Sequence, residues 1–188
     1  TSLTPTQGQR LDHWRIGLTA NIDITDTLQF VSITGYRKLD PSFFIDIDAS
    51  QFLLGDVFVG VNQKQFSQEL QLKYNGNKLK GVFGLYYLNE DVRSHQEAYG
   101  NDIFTFLGGP VSFTRLIDDV QNTKSYAAFG QLTYDFTDRF AFTGGLRYTK
   151  EDRRYNRFTT TISSLALLNN LQFRFPDNLP APLNTDNV

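Results

Sequence analysis

Residues 125 to 150, SYAAFGQLTYDFTDRFAFTGGLRYTK, form two runs of alternating polarity joined by a three-residue turn at 137–139. Successive side chains of a β-strand point to opposite faces, so even and odd positions form separate faces. The odd positions are mostly polar, which predicts a hairpin with one apolar face and one polar face. The even positions are apolar, aromatic or glycine: Tyr126, Ala128, Gly130, Leu132, Tyr134, Phe136, Phe140, Phe142, Gly144, Leu146 and Tyr148.

Aromatic residues stand at both ends of this apolar face. Tyr126 and Tyr134 are eight residues apart, and so are Phe140 and Tyr148. At ~3.3 Å per residue and a strand tilt of roughly 40°, this separation is about 20 Å, close to the ~25 Å apolar band of an outer-membrane barrel. The sequence therefore predicts a membrane β-barrel hairpin with a lipid-facing girdle of Tyr126, Tyr134, Phe136, Phe140, Phe142 and Tyr148.

Two further hairpins precede this one. Together the three occupy about 12–38, 64–88 and 123–150, with strands near 12–24, 28–38, 64–74, 78–88, 123–136 and 140–150. The second hairpin turns at 75–77, Asn-Gly-Asn, residues that tolerate a positive φ. Segment 78–88 is nearly all apolar, so the pattern does not show whether its odd or its even positions face inward. We predict an all-β chain: an antiparallel meander of about six long strands, open in this excerpt, with the first and last strands as free edges.

The connections alternate between turns of about three residues and long segments, 39–63, 89–122 and 151–188. Compact soluble domains rarely contain structureless loops beyond ~15 residues, whereas outer-membrane barrels combine short periplasmic turns with long extracellular loops. We therefore expect these three segments to be extracellular loops, and the first two of them to be mobile. The smallest single-chain bacterial barrels need eight strands, so residues 1–188 are predicted to be a slice of a larger barrel domain. The absence of Met at position 1 suggests a mature piece or a fragment with no signal peptide.

Composition excludes several other classes of function. The net charge of −2 argues against a nucleic-acid partner, and the chain contains no Cys for a disulfide or a thiol nucleophile. No apolar run approaches the length of a transmembrane helix. His13 and His95 lie far apart, and a calcium loop beginning at Asp46 would have Gln51 and Val57 where it needs Gly and Glu. We expect no catalytic residues, no metal site and no cofactor, and hence no enzyme.

FSQELQLKYNGNKLKGVFGLYYLNED (66–91) and TKSYAAFGQLTYDFTDRFAFTGGLRYTKED (123–152) closely resemble the barrel of TonB-dependent outer-membrane receptors, and SITGYRK (32–38) is similar to another strand of that family. The resemblance implies a 22-stranded barrel around a plug domain, and energised import of scarce nutrients, most often ferric siderophores. The plug, the TonB-box peptide and the C-terminal assembly strand of the family are missing from this sequence. The resemblance implies a bacterial outer-membrane location and, through the missing plug, a TonB energy-transducing complex as partner.

From this resemblance we expect part of a receptor barrel that imports a ferric siderophore or a similar small nutrient. Outer-membrane lipid and lipopolysaccharide are the further partners expected. The alternatives are a passive diffusion porin and a soluble β-sandwich domain that binds or hydrolyses carbohydrate. Loops on a rigid scaffold commonly carry binding residues. The candidates for ligand contact in the long segments are Arg93, Tyr99, Phe104, Phe106, Phe113 and Arg115.

Overall fold

The described part of the chain forms one antiparallel sheet whose strands lie side by side in chain order. A computed structural model describes residues 8–47, 49, 54–100, 102, 113–163 and 172–174. This topology confirms the predicted all-β meander, and the described residues contain neither a helix nor a second, packed sheet. No helix there is long and apolar enough to cross a membrane. The strands are β1 (Arg10–Thr25), β2 (Leu28–Ile45), β3 (Asp56–Asn75), β4 (Leu79–Tyr99), β5 (Phe113–Thr137), β6 (Phe140–Ser163) and β7 (Gln172–Arg174).

The strands run much further than the sequence patterns predicted, so the predicted loop bounds need correction. Much of 39–63 and 89–122, and the first part of 151–188, is strand, because β2 runs to Ile45, β4 to Tyr99, and β6 to Ser163. The β4–β5 ladder continues without a break to the pair Tyr99↔Thr114. The error arose because apolar alternation ends in these segments, while backbone pairing, which needs no side-chain pattern, continues.

One of the two edges of the sheet also differs from the prediction. β1 pairs only with β2 in the described residues, as expected for a free edge. β6 is not free along its whole length, because Phe158, Thr159 and Thr160 pair with the short strand β7. The three short turns lie at one end of the sheet, which we call the turn end; the opposite end is the far end.

Cross-strand register assigns every strand residue to one of two faces. Directly paired residues share a face, and the apolar face can be followed from Ile22 through Phe30, Leu72 and Phe83 to Gly130. In β4 the odd positions therefore lie on the apolar face, which resolves the parity that the pattern left open. The even positions of the other long strands lie there too. The polar face holds the remaining positions.

The apolar face is bounded by two rows of aromatic side chains. The upper aromatic row crosses all six long strands through Trp14, Tyr36, Phe66, Tyr87, Tyr126 and Tyr148. Ring centroids are 5.2 Å apart for Trp14 and Tyr36, and 5.1 Å apart for Tyr87 and Tyr126. The row shifts by two residues at every second strand, as expected where tilted strands cross one plane. The lower aromatic row, near the turn end, contains Tyr74, Tyr134, Phe136, Phe140 and Phe142.

Three polar side chains interrupt the apolar face just below the upper aromatic row. Thr34 Oγ1 donates a hydrogen bond to Gln68 Oε1 at 2.7 Å, and Gln68 Nε2 donates one to Ser32 Oγ at 3.0 Å. An apolar surrounding leaves polar groups dependent on such internal partners. The cluster therefore supplies its own hydrogen bonds across β2 and β3, a detail that the alternation pattern alone did not predict.

The polar face lies on the inner side of a curved sheet. Its side chains include nearly all the buried ones, namely Val31, Thr123, Ser125, Ala127, Thr159 and Thr161, whereas large residues of the apolar face are exposed. Side chains converge on the concave side of a sheet and diverge on the convex side, which accounts for this difference. Gly84 shows how tight the inner side is, because a Cβ there would lie 2.1 Å from the ring of Phe129. Arg147, the next residue in that row, lies over the same ring at 5.6 Å.

The first and third turns use the same local chemistry. In Thr25-Asp26-Thr27, the Thr25 hydroxyl accepts a hydrogen bond from the backbone N–H of Leu28 at 3.0 Å, and Thr137 accepts one from Phe140 at the same distance. The register shifts just before both turns. The 75–77 turn is present as predicted, but it does not use a positive φ. Among the described residues other than glycine only Ala49 has a positive φ, and Gly76 does not lie in the left-handed region either.

The two faces predict opposite responses to the same substitution. Leu146 is 89% exposed on the apolar face, so Leu146→Arg would place a charge in the predicted lipid contact. An arginine at the bilayer midplane costs roughly 2–4 kcal/mol, and Leu146 lies two residues from the centre of the band, so we expect about 2 kcal/mol. The measurement is a denaturant titration of the full-length protein folded into lipid bilayers.

Thr133→Arg is the control on the polar face. It removes the 2.9 Å contact between the hydroxyls of Thr133 and Thr143, so its expected cost is below about 1 kcal/mol. Equal losses for the two variants would contradict the assignment of faces.

Candidate functional site

The far end of the polar face carries a concentration of arginine side chains. Arg15, Arg37, Gln65, Glu90, Thr123 and Arg153 are successive partners across six strands. Along this row Glu90 accepts a hydrogen bond from the neutral amide of Gln63, and Arg153 forms an ion pair with Glu151. The Nε atom of Arg37 is buried and donates to no acceptor among the described residues. The row can therefore donate hydrogen bonds to an anionic or oxygen-rich ligand on the inner side of the sheet.

A second cluster lies further along the same face. Asp119 accepts hydrogen bonds from Arg157 Nε at 2.6 Å, Arg157 Nη2 at 2.8 Å and the Tyr155 hydroxyl at 2.8 Å. Burial and the bond to Asp119 raise the pKa of Tyr155 to about 12, and the Asp119 carboxylate raises the pKa of Arg157. The two-pronged Arg157 contact fixes the guanidinium, so this cluster ties β5 to β6 and orients polar groups inward.

The opposite face of the far end carries a histidine held between two carboxylates. His95 Nδ1 lies 2.7 Å from Asp118, its cross-strand partner, and His95 Nε2 lies 2.9 Å from Glu97. These contacts, with Asp118 first, raise the pKa of His95. The Tyr99 hydroxyl donates to Glu97 and, with His95, lowers the pKa of Glu97. Burial, followed by the bond to Glu97, raises the pKa of Tyr99 to about 12.

The sequence candidates do not converge on one face. Arg115 lies on the polar face, whereas Arg93 and Tyr99 lie on the opposite face, where Tyr99 stacks on Phe44 with centroids 6.0 Å apart. Phe104 and Phe106 lie outside the described residues. Phe113 begins β5, but its side chain is also outside the described part. The girdle residues Tyr126, Tyr134, Phe136, Phe140, Phe142 and Tyr148 all have exposed side chains on the apolar face.

Two residue groups were missed by the sequence reasoning. His95 was treated as isolated, although Glu97 at position i+2 shares its face in any strand and Asp118 follows from the register. The contact of Asp119 with Tyr155 and Arg157 was not predicted either, because 151–188 was assigned to a loop.

Asp46 accepts a hydrogen bond from the backbone N–H of Ala49 at 2.7 Å, a local turn contact. In the described ranges no group of three or more His, Cys, Asp or Glu could hold a metal ion.

A family model described as "TonB dependent receptor-like, beta-barrel" matches residues 2–179. The chain therefore belongs to the TonB-dependent receptor family and forms part of its barrel, as the sequence resemblance predicted. In this family the barrel lies in the bacterial outer membrane and serves transport. The family identification disfavours a passive porin, and the single sheet is inconsistent with a β-sandwich.

The fold is similar to that of a solved uptake receptor. The crystal structure of the ferric yersiniabactin uptake receptor FyuA from Yersinia pestis matches with a TM-score of 0.69 at 20% sequence identity. The match covers 93% of this chain and 25% of that receptor. At this identity the likeness shows the fold, and the chain spans about a quarter of the receptor's length.

The histidine cluster predicts a pH-dependent stability of the far end of β4 and β5. The raised pKa means that charged His95 is favoured in the folded state; this contribution is complete below the unfolded value of about 6.5 and is lost as pH rises through the folded value. Hydrogen exchange of the β4 and β5 amides should therefore show less protection above that pH, after correction for the intrinsic exchange rate. His95→Gln should remove the dependence, whereas His13→Gln, on β1, should retain it.

The Asp119 cluster predicts a graded loss of local stability. Asp119→Ala removes the acceptor of four hydrogen bonds, from Arg157, Tyr155 and Gln96, and leaves the Arg157 guanidinium, about a quarter exposed, without its counterion. We expect the free energy of local opening at the far end of β5–β6 to fall by about 1–3 kcal/mol, measured by hydrogen exchange. Tyr155→Phe removes one bond and should cost about 1 kcal/mol. A larger loss for Tyr155→Phe than for Asp119→Ala would contradict this account.

Proposed function

We propose that this chain is part of the barrel of an outer-membrane receptor that imports a ferric siderophore or a similar small, scarce nutrient, with the arginine-bearing polar face lining the transport path. Family membership supports the barrel, membrane and transport parts of this proposal. The function of the structurally similar receptor FyuA, ferric yersiniabactin uptake, supports an iron-carrying ligand. The energy would come from a TonB complex acting through a plug domain, the mechanism that the family name implies.

The observation that carries the proposal is the excess of arginine over acidic side chains at the far end of the inner face. Acidic residues of the long segments, which would repel an anionic ligand, lie largely on the outward face: Asp40, Asp91, Glu97 and Asp118. Arginines at the far end of the inner face exceed the acids there, with Arg15, Arg37, Arg115, Arg153 and Arg157 against Glu90, Asp119 and Glu151. Planar guanidinium groups match carboxylate and catecholate oxygens, which suits an anionic iron chelate.

This arrangement changes the role proposed for the sequence candidates. Arg115 keeps a role in ligand contact because it lies on the inner face. Arg93 and Tyr99 belong to the outward face, so we propose no role in ligand contact for them. Lipid would meet the apolar face between the two aromatic rows, with the girdle residues at its boundaries.

The test compares two matched pairs of arginine substitutions in the full-length receptor. Arg37→Gln with Arg153→Gln removes two inner-face guanidinium groups, whereas Arg93→Gln with Arg154→Gln removes two from the outward face. The readout is uptake of iron presented as a ferric siderophore, with ferric yersiniabactin as the first probe, by an iron-limited host that makes no siderophore. We expect at least tenfold weaker half-saturation for the inner pair, about 0.7 kcal/mol per residue, and less than a twofold change for the outer pair.

Both variants should show wild-type abundance in the membrane fraction and wild-type heat-modifiable migration, which establishes that the barrel folds. Loss of uptake in the outer pair alone would contradict the proposed path. A receptor that transports no iron chelate in any form would contradict the proposed ligand class while leaving the barrel assignment intact.

A further inference from the structure

The inner face of the sheet becomes apolar at the far end of β2 and β3. Along β3, every inner-face residue from the turn end up to Gln63 is polar. Beyond Gln63 the inner-face residues are aliphatic, and those of β2 alongside are apolar as well. We call this surface the aliphatic patch; it is formed by Leu39, Phe43, Ile45, Val57, Val59 and Val61.

The register of the strands makes the aliphatic patch continuous. Phe43 is the direct partner of Val59, so side chains of the two strands lie next to each other. On β4 the patch ends, because Val59 and Val61 have Gln96 and Ser94 as partners. On β2 the patch is about 20 Å long, at ~3.3 Å per residue. It is therefore a narrow strip that runs along the strands.

Neither lipid nor a protein core accounts for the aliphatic patch. It lies on the inner side of the sheet, and its first and last residues on β2 are three and nine residues beyond Tyr36 of the upper aromatic row. At roughly 40° of strand tilt, the patch lies about 8 to 23 Å above the lipid boundary. None of the described strands packs over it, and Ile45 is 43% exposed. A contiguous apolar surface in this position indicates a binding surface.

The composition of the patch indicates what kind of group it binds. Five of its six residues are aliphatic, and none of them is charged or polar. Branched aliphatic side chains are stiff and present an even apolar surface, whereas recognition of planar rings relies on stacking against aromatic side chains. The patch is therefore suited to a flexible hydrocarbon chain.

The arginine row borders the aliphatic patch on the side of the membrane. Arg37 lies two residues before Leu39 on the same face of β2, and its direct partner on β1 is Arg15. Like charges directly opposite each other destabilise a sheet, so this pair favours an anion between the two guanidinium groups. The buried Nε of Arg37 donates to no acceptor among the described residues. One ligand with an anionic head and an apolar tail can occupy both surfaces at once.

We propose that the aliphatic patch binds the hydrocarbon tail of an acylated, anionic iron chelate whose oxygen-rich head contacts Arg15 and Arg37. The inference rests on the proposed transport path and defines its ligand class more closely, as an amphiphile rather than a fully polar chelate. A bilayer lipid or a second barrel does not fit this surface, because the inner face of a barrel is enclosed.

The experiment measures equilibrium binding of two ferric chelates to the full-length receptor in lipid nanodiscs. Both probes are the same citrate-based dihydroxamate with a free carboxylate; one carries acetyl groups and the other hexanoyl groups, and iron is radiolabelled. Receptor-free nanodiscs correct for partition of the probes into lipid. A methylene half buried on one face of a sheet contributes about twofold in affinity, so the four methylenes of one tail should give about 16-fold tighter binding of the hexanoyl chelate.

Val59→Thr with Val61→Thr tests the aliphatic patch directly. Threonine keeps the shape and the strand propensity of valine but replaces one methyl group of each side chain with a hydroxyl group. The preference for the hexanoyl chelate should fall to about fourfold or less. The matched control is Val82→Thr with Val120→Thr, on β4 and β5 outside the patch, and it should retain the full preference. Heat-modifiable migration establishes that each barrel is folded.

The outcomes separate this inference from the proposed function. Equal affinity of the wild-type receptor for the two chelates, as expected if another part of the protein covers the patch, would overturn the tail site alone. An unchanged preference in the Val59/Val61 variant, or an equal loss in the control, would overturn it as well. A receptor that binds neither chelate would overturn the proposed ligand class, and this inference with it.

Discussion

Continuous backbone pairing between adjacent strands is the constraint on which the rest of this structure depends. In lipid no water satisfies an unpaired N–H or C=O, so each long strand must be hydrogen-bonded to its neighbours across the membrane. The β3–β4 and β4–β5 ladders keep one register over their whole length. Because a strand has a period of two, that register fixes which residues face inward and which outward. The aromatic rows and the inner-face arginines both follow from this single division.

The fold was largely predictable from the sequence where lipid imposes a pattern, and poorly predictable elsewhere. The hairpins and the faces of β1, β5 and β6 followed from alternation between the aromatic rows. The parity of β4 did not, because Phe83 and Leu85 on one face alternate with Val82 and Tyr86 on the other. Only the pairing of β4 with its neighbouring strands shows which of these residues face outward. The length of the strands was predicted poorly for a related reason. Both faces of segment 113–122 (FTRLIDDVQN) carry polar side chains, so the sequence shows no alternation of polarity that would indicate a strand there.

The candidate site shows the same limit more severely. Sequence reasoning treated the long segments as loops without direction, and so grouped Arg93 with Arg115, although the register places them on opposite faces. The contact of His95 with Asp118 depends on partners 23 residues apart, and that of Asp119 with Arg157 on partners 38 residues apart. The composition gives the number of charged residues, but only the cross-strand register shows on which face of the sheet each of them lies.

The length of the β4–β5 hairpin has a mechanical consequence. From Tyr87 in the upper aromatic row to Tyr99 at the end of β4, twelve further residues extend about 30 Å beyond the lipid boundary at ~3.3 Å per residue and roughly 40° of tilt. Paired on both sides by β3 and β5, β4 forms a stiff wall there rather than a pliable loop. In the proposed orientation the connection that joins β4 to β5 starts well above the headgroups, at the height of the saccharide layer. A molecule arriving from the medium would meet this rim before it meets the membrane.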